Sequence, residues 1–447
     1  MERKEKRRKV VVSALGLAGL LVLSLFAIAG NLQPSAPPAP TMKTLDEVEP
    51  RIPIQSLSGD ANAVHVIDQP GSYYFTGDVN VSATDMNGIL VEVDDVTIDL
   101  MGYTLKGSGL GTGSGIYIMD GRSNVEIRSG TVRDFGRHGI HEGGYGKGHR
   151  VIGVRAVSNG INGIFLSGSG QLVKDCTALE NDGYGIYAGA RSTVTGNTTY
   201  GNGGDGIYAH AGSTVTGNTA DNNGYIGISA GLGSTVIGNT AYDNNGSGIS
   251  TGDCCTVTGN TARSNGQNGI YVYGGSTVTG NTAYENGGHG IDAGTGCTII
   301  GNTARLNTGN GIDFDGLGTI ADNTADRNSG YGISVTSGAV VARNSCAENT
   351  LDGIKAGDGN RIVGNDCVGN GNGGDGAGIH VQSQRNVIMD NTVLQNDRGI
   401  DVDAANNLIV KNSASTNGTE YSIVGGNKVG TTSTDPTTAG PWDNFDF

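Results

Sequence analysis

The sequence predicts an all-β solenoid of parallel strands, and three observations carry that prediction. Asparagine recurs at 197, 218, 239, 260, 281, 302, 323, 344 and 365, each interval being 21 residues, and again at 391 and 412. A Gly-Ile element repeats in phase, at Ile186, Ile207, Ile228, Ile249, Ile270, Ile291, Ile312, Ile333 and Ile354, with looser copies at Ile89, Ile116, Ile140, Ile164, Ile379 and Ile400. Within one unit the apolar residues alternate, as in Ile207 and Ala209, then Val215 between two threonines, then Ala220. That is the two-residue period of strands. A 21-residue period is too short for helix–turn–helix repeats, and the leucine-rich pattern is absent. Stacked in register, about 15 coils at ~4.8 Å each give a rod of roughly 70 Å.

Composition agrees. Glycine supplies 79 of 447 residues, roughly 18% against an ordinary ~7%. Long helices are excluded, because each interior glycine costs about 1 kcal/mol against alanine. Collagen is excluded by the lack of a strict every-third glycine and by only 9 prolines. The formal charge is −15. Residues 1–9 (MERKEKRRK) contribute +4, which leaves a body near −19 that repels phosphate backbones and disfavours nucleic acid as a partner.

The elements follow in order. Residues 1–29 read as a signal peptide or an N-terminal anchor: a basic start, an apolar run from Val10 to Ala29, and Ala27-Ile28-Ala29 as a cleavage point. The run is long enough to span a membrane if it stays uncleaved, the one expected route to membrane contact. Export, to a secreted, periplasmic or cell-surface location, follows from either reading. Residues 30–42 form a Pro-rich linker, residues 43–87 an N-terminal cap, residues 88–425 the solenoid, and residues 426–447, with Trp442, Phe445 and Phe447, a C-terminal cap. Caps are needed because open solenoid ends aggregate. The core is expected to be small and aliphatic, with aromatics outside or at the ends. The repeated Asn is expected to satisfy its neighbours' amides along the stack and to take the left-handed bend conformation.

Six cysteines test the register. Cys346 and Cys367 share an inward position on adjacent coils, as a disulfide or as stacked free thiols. Cys255 and Cys297 share a position two coils apart, Cys176 takes the Asn slot, and no Cys/His spacing suggests zinc.

The repeat, with the opening stretches Gly71-Ser72-Tyr73-Tyr74-Phe75 and Val96-Thr97-Ile98-Asp99-Leu100, resembles the right-handed parallel β-helix family over roughly residues 60–425. That family includes pectate-lyase-like and other carbohydrate-active proteins, and a periplasmic copper-accessory protein of nitrous oxide reductase maturation. The resemblance implies a single-stranded right-handed parallel β-helix. It implies little about activity, because the matching residues are scaffold residues.

Chemistry is expected on the outward column after each Gly-Ile, which runs Tyr117, His141, Phe165, Tyr187, Tyr208, Ser229, Ser250, Tyr271, Asp292, Asp313, Ser334, Lys355, His380, Asp401. A companion column two residues further on includes His210, Tyr273, Asp315 and Asp403. Tyr187 with Tyr208, and Tyr271 with Tyr273, are candidates for stacking on sugars; tyrosine also suits exposed strands for its own sake. His380, Asp401 and Asp403 are further substrate-binding candidates. Asp292, Asp313 and Asp315 repel one another unless a cation sits among them, and calcium favours such oxygen clusters. Lys355 two coils on is then the candidate base of a lyase. The alternative for this group is a solvated acidic face with an ion-paired lysine. The period stretches by five residues between Asn365 and Asn391, mostly within 369–378, where Asp375 offers a loose calcium-loop reading. The segment 133–150 holds three of the seven histidines, as a surface metal site, for copper for instance, or as an irregular polar loop. Gly288-His289-Gly290 superficially resembles a polygalacturonase motif, but it is the repeat's own Gly-x-Gly-Ile and no paired Asp-Asp accompanies it.

The expected function is therefore an exported, non-catalytic β-helix that binds polysaccharide or a cell-surface glycan, or is structural there. The alternative is a calcium-dependent polysaccharide lyase or epimerase acting on uronic-acid glycans through Lys355, Asp292, Asp313 and Asp315.

Overall fold

The computed structural model describes residues 51–447 apart from 372, 373 and 375. The expected signal peptide, the linker and Asp375 lie outside the described residues. Contacts divide the chain at Arg51/Ile52, and residues 52–447 form one unit. No helix among the described residues is long and apolar enough to cross a membrane.

Each turn contributes three short strands. In one turn these are Ile207–Ala209, Thr214–Thr216 and Thr219–Asp221. The Gly-Ile strands pair in parallel with their equivalents one turn away, so Ile186 lies on Ile207 and Ile207 on Ile228. The other two strands of each turn build a second sheet, with Val194 on Val215 and Ala220 on Ala241. Seventeen Gly-Ile-type strands stack in this way, from Ala63–Ile67 to Thr419–Ile423. The count exceeds the expected fifteen because the first and last turns lack the Gly-Ile signature. His65 and Tyr421 occupy the isoleucine position there. Stacking thus begins inside the stretch expected as the N-terminal cap, and Ile54, in a short 3-10 turn, is buried at that end.

The interior is a set of columns. Ile207, Ala209, Val215 and Ala220 are fully buried, and their equivalents in the turns from Ile89 to Ile400 are buried too. Phe314 corrects the expectation that aromatics avoid the middle of the core: it points inward, 1% exposed, between Ala293 and Val335. The room comes from Gly318, where a Cβ would sit 2.9 Å from the Phe314 ring.

The corners are held by side-chain ladders. Asn218 Nδ2 donates to Asn239 Oδ1 at 3.0 Å and to the Val194 carbonyl at 2.9 Å, while the Asn218 backbone N–H donates to the same Asn239 Oδ1 at 2.9 Å. Each buried amide is satisfied by the turns above and below it. Cys176 fills the first place of this ladder, its N–H donating to Asn197 Oδ1, and Asn444 of the tail closes it under Asn412. The left-handed conformation expected at the Asn belongs instead to the residue before it, such as Gly217 at φ 64°. A β-carbon is disfavoured there, which explains the recurrent glycine. A second asparagine ladder runs from Asn159 through Asn181, Asn202 and Asn223 to Asn417. A third combines Ser192, Ser213 and Ser234 with Cys255, Ser276 and Cys297, the thiols standing in for hydroxyls. Four of the five extra residues fall between Asn370 and Ala377 and the fifth between Val381 and Asn386, and the ladders stay joined across them.

Cys346 and Cys367 lie in register on adjacent turns, fully buried, as free thiols. At the far end Asn444–Asp446 pairs with the last inner strand. Trp442 and Phe447, expected to cover that end, are exposed instead, the Trp442 ring lying under Lys411 Nζ at 4.6 Å. Tyr421 does the covering, donating its hydroxyl to the Asn412 and Phe445 carbonyls.

Removing one ladder amide should be costly and local. Asn260→Ala strips the acceptor from Asn239 and the donor from the Val236 carbonyl, several buried groups at about 1–3 kcal/mol each. We predict a loss of roughly 2–4 kcal/mol, with faster amide exchange concentrated in the flanking turns. Thr256→Ala, on the exposed side, should stay within about 0.5 kcal/mol. Equal melting of the two variants would refute the ladder's role.

Candidate functional site

The register places the outward column expected from the sequence on one face of the Gly-Ile sheet. Tyr271 adjoins Asp292, Asp292 adjoins Asp313, and Ser334, Lys355, His380 and Asp401 follow in order. Sequence reasoning missed a third column on this face, two residues before each isoleucine. It contains His138, Tyr184, Asp205, Asn268, His289, Asn310, Tyr331, Asp352 and Arg398, and it supplies partners to the other two.

In the first half of the face the rings form a continuous stack. Tyr117 and His141 have centroids 4.9 Å apart, Phe165 and Tyr187 4.6 Å, and Tyr187 and Tyr208 5.0 Å with planes only 7° apart. His138 lies 4.4 Å from His141 and 5.2 Å from Phe165. Strands spaced ~4.8 Å apart force side chains of one column face to face. One face of Tyr187 and one face of Tyr208 are therefore turned towards each other and away from any sugar. Tyr271 and Tyr273 behave differently: they meet edge to face at 5.0 Å and 75°, and Tyr273 is half exposed.

Beside the ring stack lies a cleft of about 770 Å³, lined by Tyr145, Lys147, Ser167, Ser169, Tyr187 and His210 over a glycine-rich floor. Tyr145 is 88% exposed. The wall is pinned from beneath by Glu142, wholly buried, whose carboxylate accepts from Gly146 N at 2.7 Å and Gly168 N at 2.8 Å. Burial pushes the Glu142 carboxyl up from its ordinary value, and the two backbone N–H groups oppose that shift. Burial likewise pushes His138 down to about 3, His141 to about 4 and His149 to about 4, so all three are neutral rings. His138 Nδ1 accepts from Asn162 N and His149 Nδ1 from Val125 N. Among the described residues these histidines form no three-ligand metal group; His138 and His149 are backbone acceptors, and His141 packs in the ring stack.

In the second half, Asp292 and Asp313 sit side by side, but each is tied to an amide: Asn268 Nδ2 donates to Asp292 at 2.9 Å and Asn310 Nδ2 to Asp313 at 2.8 Å. Burial raises the Asp292 carboxyl, helped by Asp313 and opposed by His289. Asp315 is exposed on the companion column. These three do not form a metal-competent group among the described residues.

Lys355 lies two turns beyond Asp313 and in register with His380, as the repeat places it. Its Nζ lies 4.8 Å over the Tyr331 ring. His380 is held at both nitrogens, Nδ1 by Asp352 at 3.0 Å and Nε2 by Asp403 at 2.9 Å. Asp352 is 4% exposed and Asp401 3% exposed; Asp401 is paired with Arg398. The hydrogen bond from Asp352, opposed by burial and assisted by Asp403, raises His380 to about 9. The ring is an imidazolium at neutral pH.

A family model described as a right-handed β-helix region matches residues 66–220, 162–308 and 292–435. No curated protein sequence matches at a significant level. Among solved structures, the A-module of a mannuronan C-5 epimerase from Azotobacter vinelandii is 13% identical with TM-score 0.26, covering 80% of this chain and 87% of its own. A periplasmic alginate epimerase is 13% identical with TM-score 0.33, covering 90% and 81%. The Dettilon tailspike protein is 16% identical with TM-score 0.32, covering 77% and 67%.

His380 gives a pH prediction with a definite sign. A folded pKa raised to about 9, above an unfolded value of about 6.5, contributes stability fully present below that lower value and lost as pH rises through about 9. The imidazole resonances of His380 should titrate near 9, and Asp352→Asn should move that midpoint down. A midpoint at the ordinary histidine value in the unaltered protein would contradict the clamp.

Proposed function

We propose, from the premise that the chain belongs to the right-handed β-helix family, that it is an exported, non-catalytic protein that binds a polysaccharide along its Gly-Ile face. The observation that carries this reading is the cleft of about 770 Å³ beside Tyr187 and His210. Its volume lies within the range of small-ligand sites, about 300–1,000 Å³. Tyr145 brings the open aromatic face that the ring stack withholds, and its exposed phenol suits the alternating apolar and hydroxyl surfaces of a sugar ring. Lys147 adds a cation for a carboxylate or sulfate on an acidic glycan. Serine hydroxyls and backbone groups over the glycine-rich floor complete a polar rim.

Export rests on the basic start and the apolar run of residues 10–29, and fractionation of cells making the tagged chain tests it. The second reading, a calcium-dependent lyase or epimerase on uronic-acid glycans, is favoured by one arrangement. Lys355, His380 and Arg398 gather on neighbouring turns beside Asp401, with cations to meet a uronate carboxylate and a lysine to take its α-proton. Ultraviolet absorbance of an unsaturated product from pectate or alginate, with and without calcium and with Lys355→Ala, separates a lyase from a binder.

For the favoured reading we predict that calorimetric titration with a panel of neutral and uronic oligosaccharides finds at least one ligand. Tyr145→Ala and Lys147→Ala should each weaken it by about tenfold or more, the loss of roughly 1.4 kcal/mol, without moving the melting temperature. Binding indifferent to both substitutions would remove the cleft from the account.

A further inference from the structure

The geometry points to a divalent-metal site of the zinc type formed by His380, Asp401 and Asp403, independent of the glycan reading. One ligand atom from each of these residues lies within 4.8 Å of the other two. The group is more than a patch of acidic residues, because its imidazole is aimed. Asp352, buried on the outward column that precedes the strand, gives one oxygen to Ala377 N at 2.7 Å and the other to His380 Nδ1 at 3.0 Å. With Nδ1 engaged by Asp352, Nε2 is the nitrogen that faces Asp403, at 2.9 Å, and a metal bound there displaces to solvent the proton that Nε2 carries in the metal-free ring. A histidine that ligates a metal through one nitrogen while its other N–H is held by a carboxylate is the usual supported arrangement, and the supporting carboxylate is worth 10–100-fold in affinity (order of magnitude).

The surroundings leave the position accessible. Asp401 is fixed by Arg398 at one carboxylate oxygen, which orients the other. Lys355, although next in register, is drawn to the Tyr331 ring. Asp403 is the open side of the group, its side chain 54% exposed. One imidazole nitrogen and two carboxylate oxygens, with positions left for water or a ligand, match the three-ligand open site of zinc. Calcium asks for six to eight oxygens (approximate range), more than this group supplies.

The test is calorimetric titration of zinc chloride into the full chain carrying Cys254→Ser, which removes the one exposed thiol, with bound metal counted by mass spectrometry. One zinc per chain is expected. Asp403→Asn, at an exposed position, should weaken binding at least tenfold while the metal-free protein stays folded. Asp352→Asn should weaken it by about 10–100-fold, and Asp315→Asn should leave it unchanged. Absence of zinc binding, affinity unaffected by Asp403→Asn, or calcium binding more tightly than zinc would each overturn the assignment.

Discussion

Everything in this molecule depends on buried asparagine amides that bond from one turn to the next. A parallel sheet alone tolerates a shift of register; a shift here would leave whole columns of amides and carbonyls without partners in a dry interior, where each orphan costs about 1–3 kcal/mol. The chain therefore returns to the same place every 21 residues, and where five are added they are kept out of the ladders, four between Asn370 and Ala377 and one between Val381 and Asn386, while Asn370 still bonds Asn396. The isoleucine columns supply most of the apolar burial, yet isoleucine would pack nearly as well one position along. The amides fix which position is used.

This constraint shapes the surface as much as the core. A column that must repeat at the strand spacing brings like side chains together, so tyrosines become a stack of rings and aspartates become neighbours. Each consequence is settled locally. The rings satisfy one another and lose their free faces, while Asp292 and Asp313 each take an asparagine amide. The open aromatic surface lies on the irregular turn holding Tyr145, where the chain departs from the repeat. The face thus divides into regular stretches, where side chains are used up on each other, and interruptions, where they are free to meet something else.

The period, the inward isoleucines, the Asn197–Asn412 ladder and the stacking of Cys346 on Cys367 were all legible as linear offsets, because a solenoid turns offsets into neighbours. The second ladder, through Asn202 and Asn223, was equally present, five residues after the first, in the frequent asparagines that read as turn residues. Phe314 was misplaced because its burial depends on a glycine four residues later, a compensation that no single column reveals. The histidine clamp was missed for a related reason. His380 and Asp403 lay on columns read as outward, but Asp352 comes from the loop side of the preceding turn, and its role appears only when three columns are read together. The stack of Tyr187 on Tyr208 was seen as adjacency, while the mutual covering of ring faces needed side-chain geometry.

The cleft at Tyr187 and the clamp at His380 occupy the same face nine turns apart. At ~4.8 Å per turn that separation is roughly 40 Å along the axis. The face is in effect a molecular ruler. A ligand a few residues long would reach one landmark or the other, and only a long, extended chain lying parallel to the rod would span both.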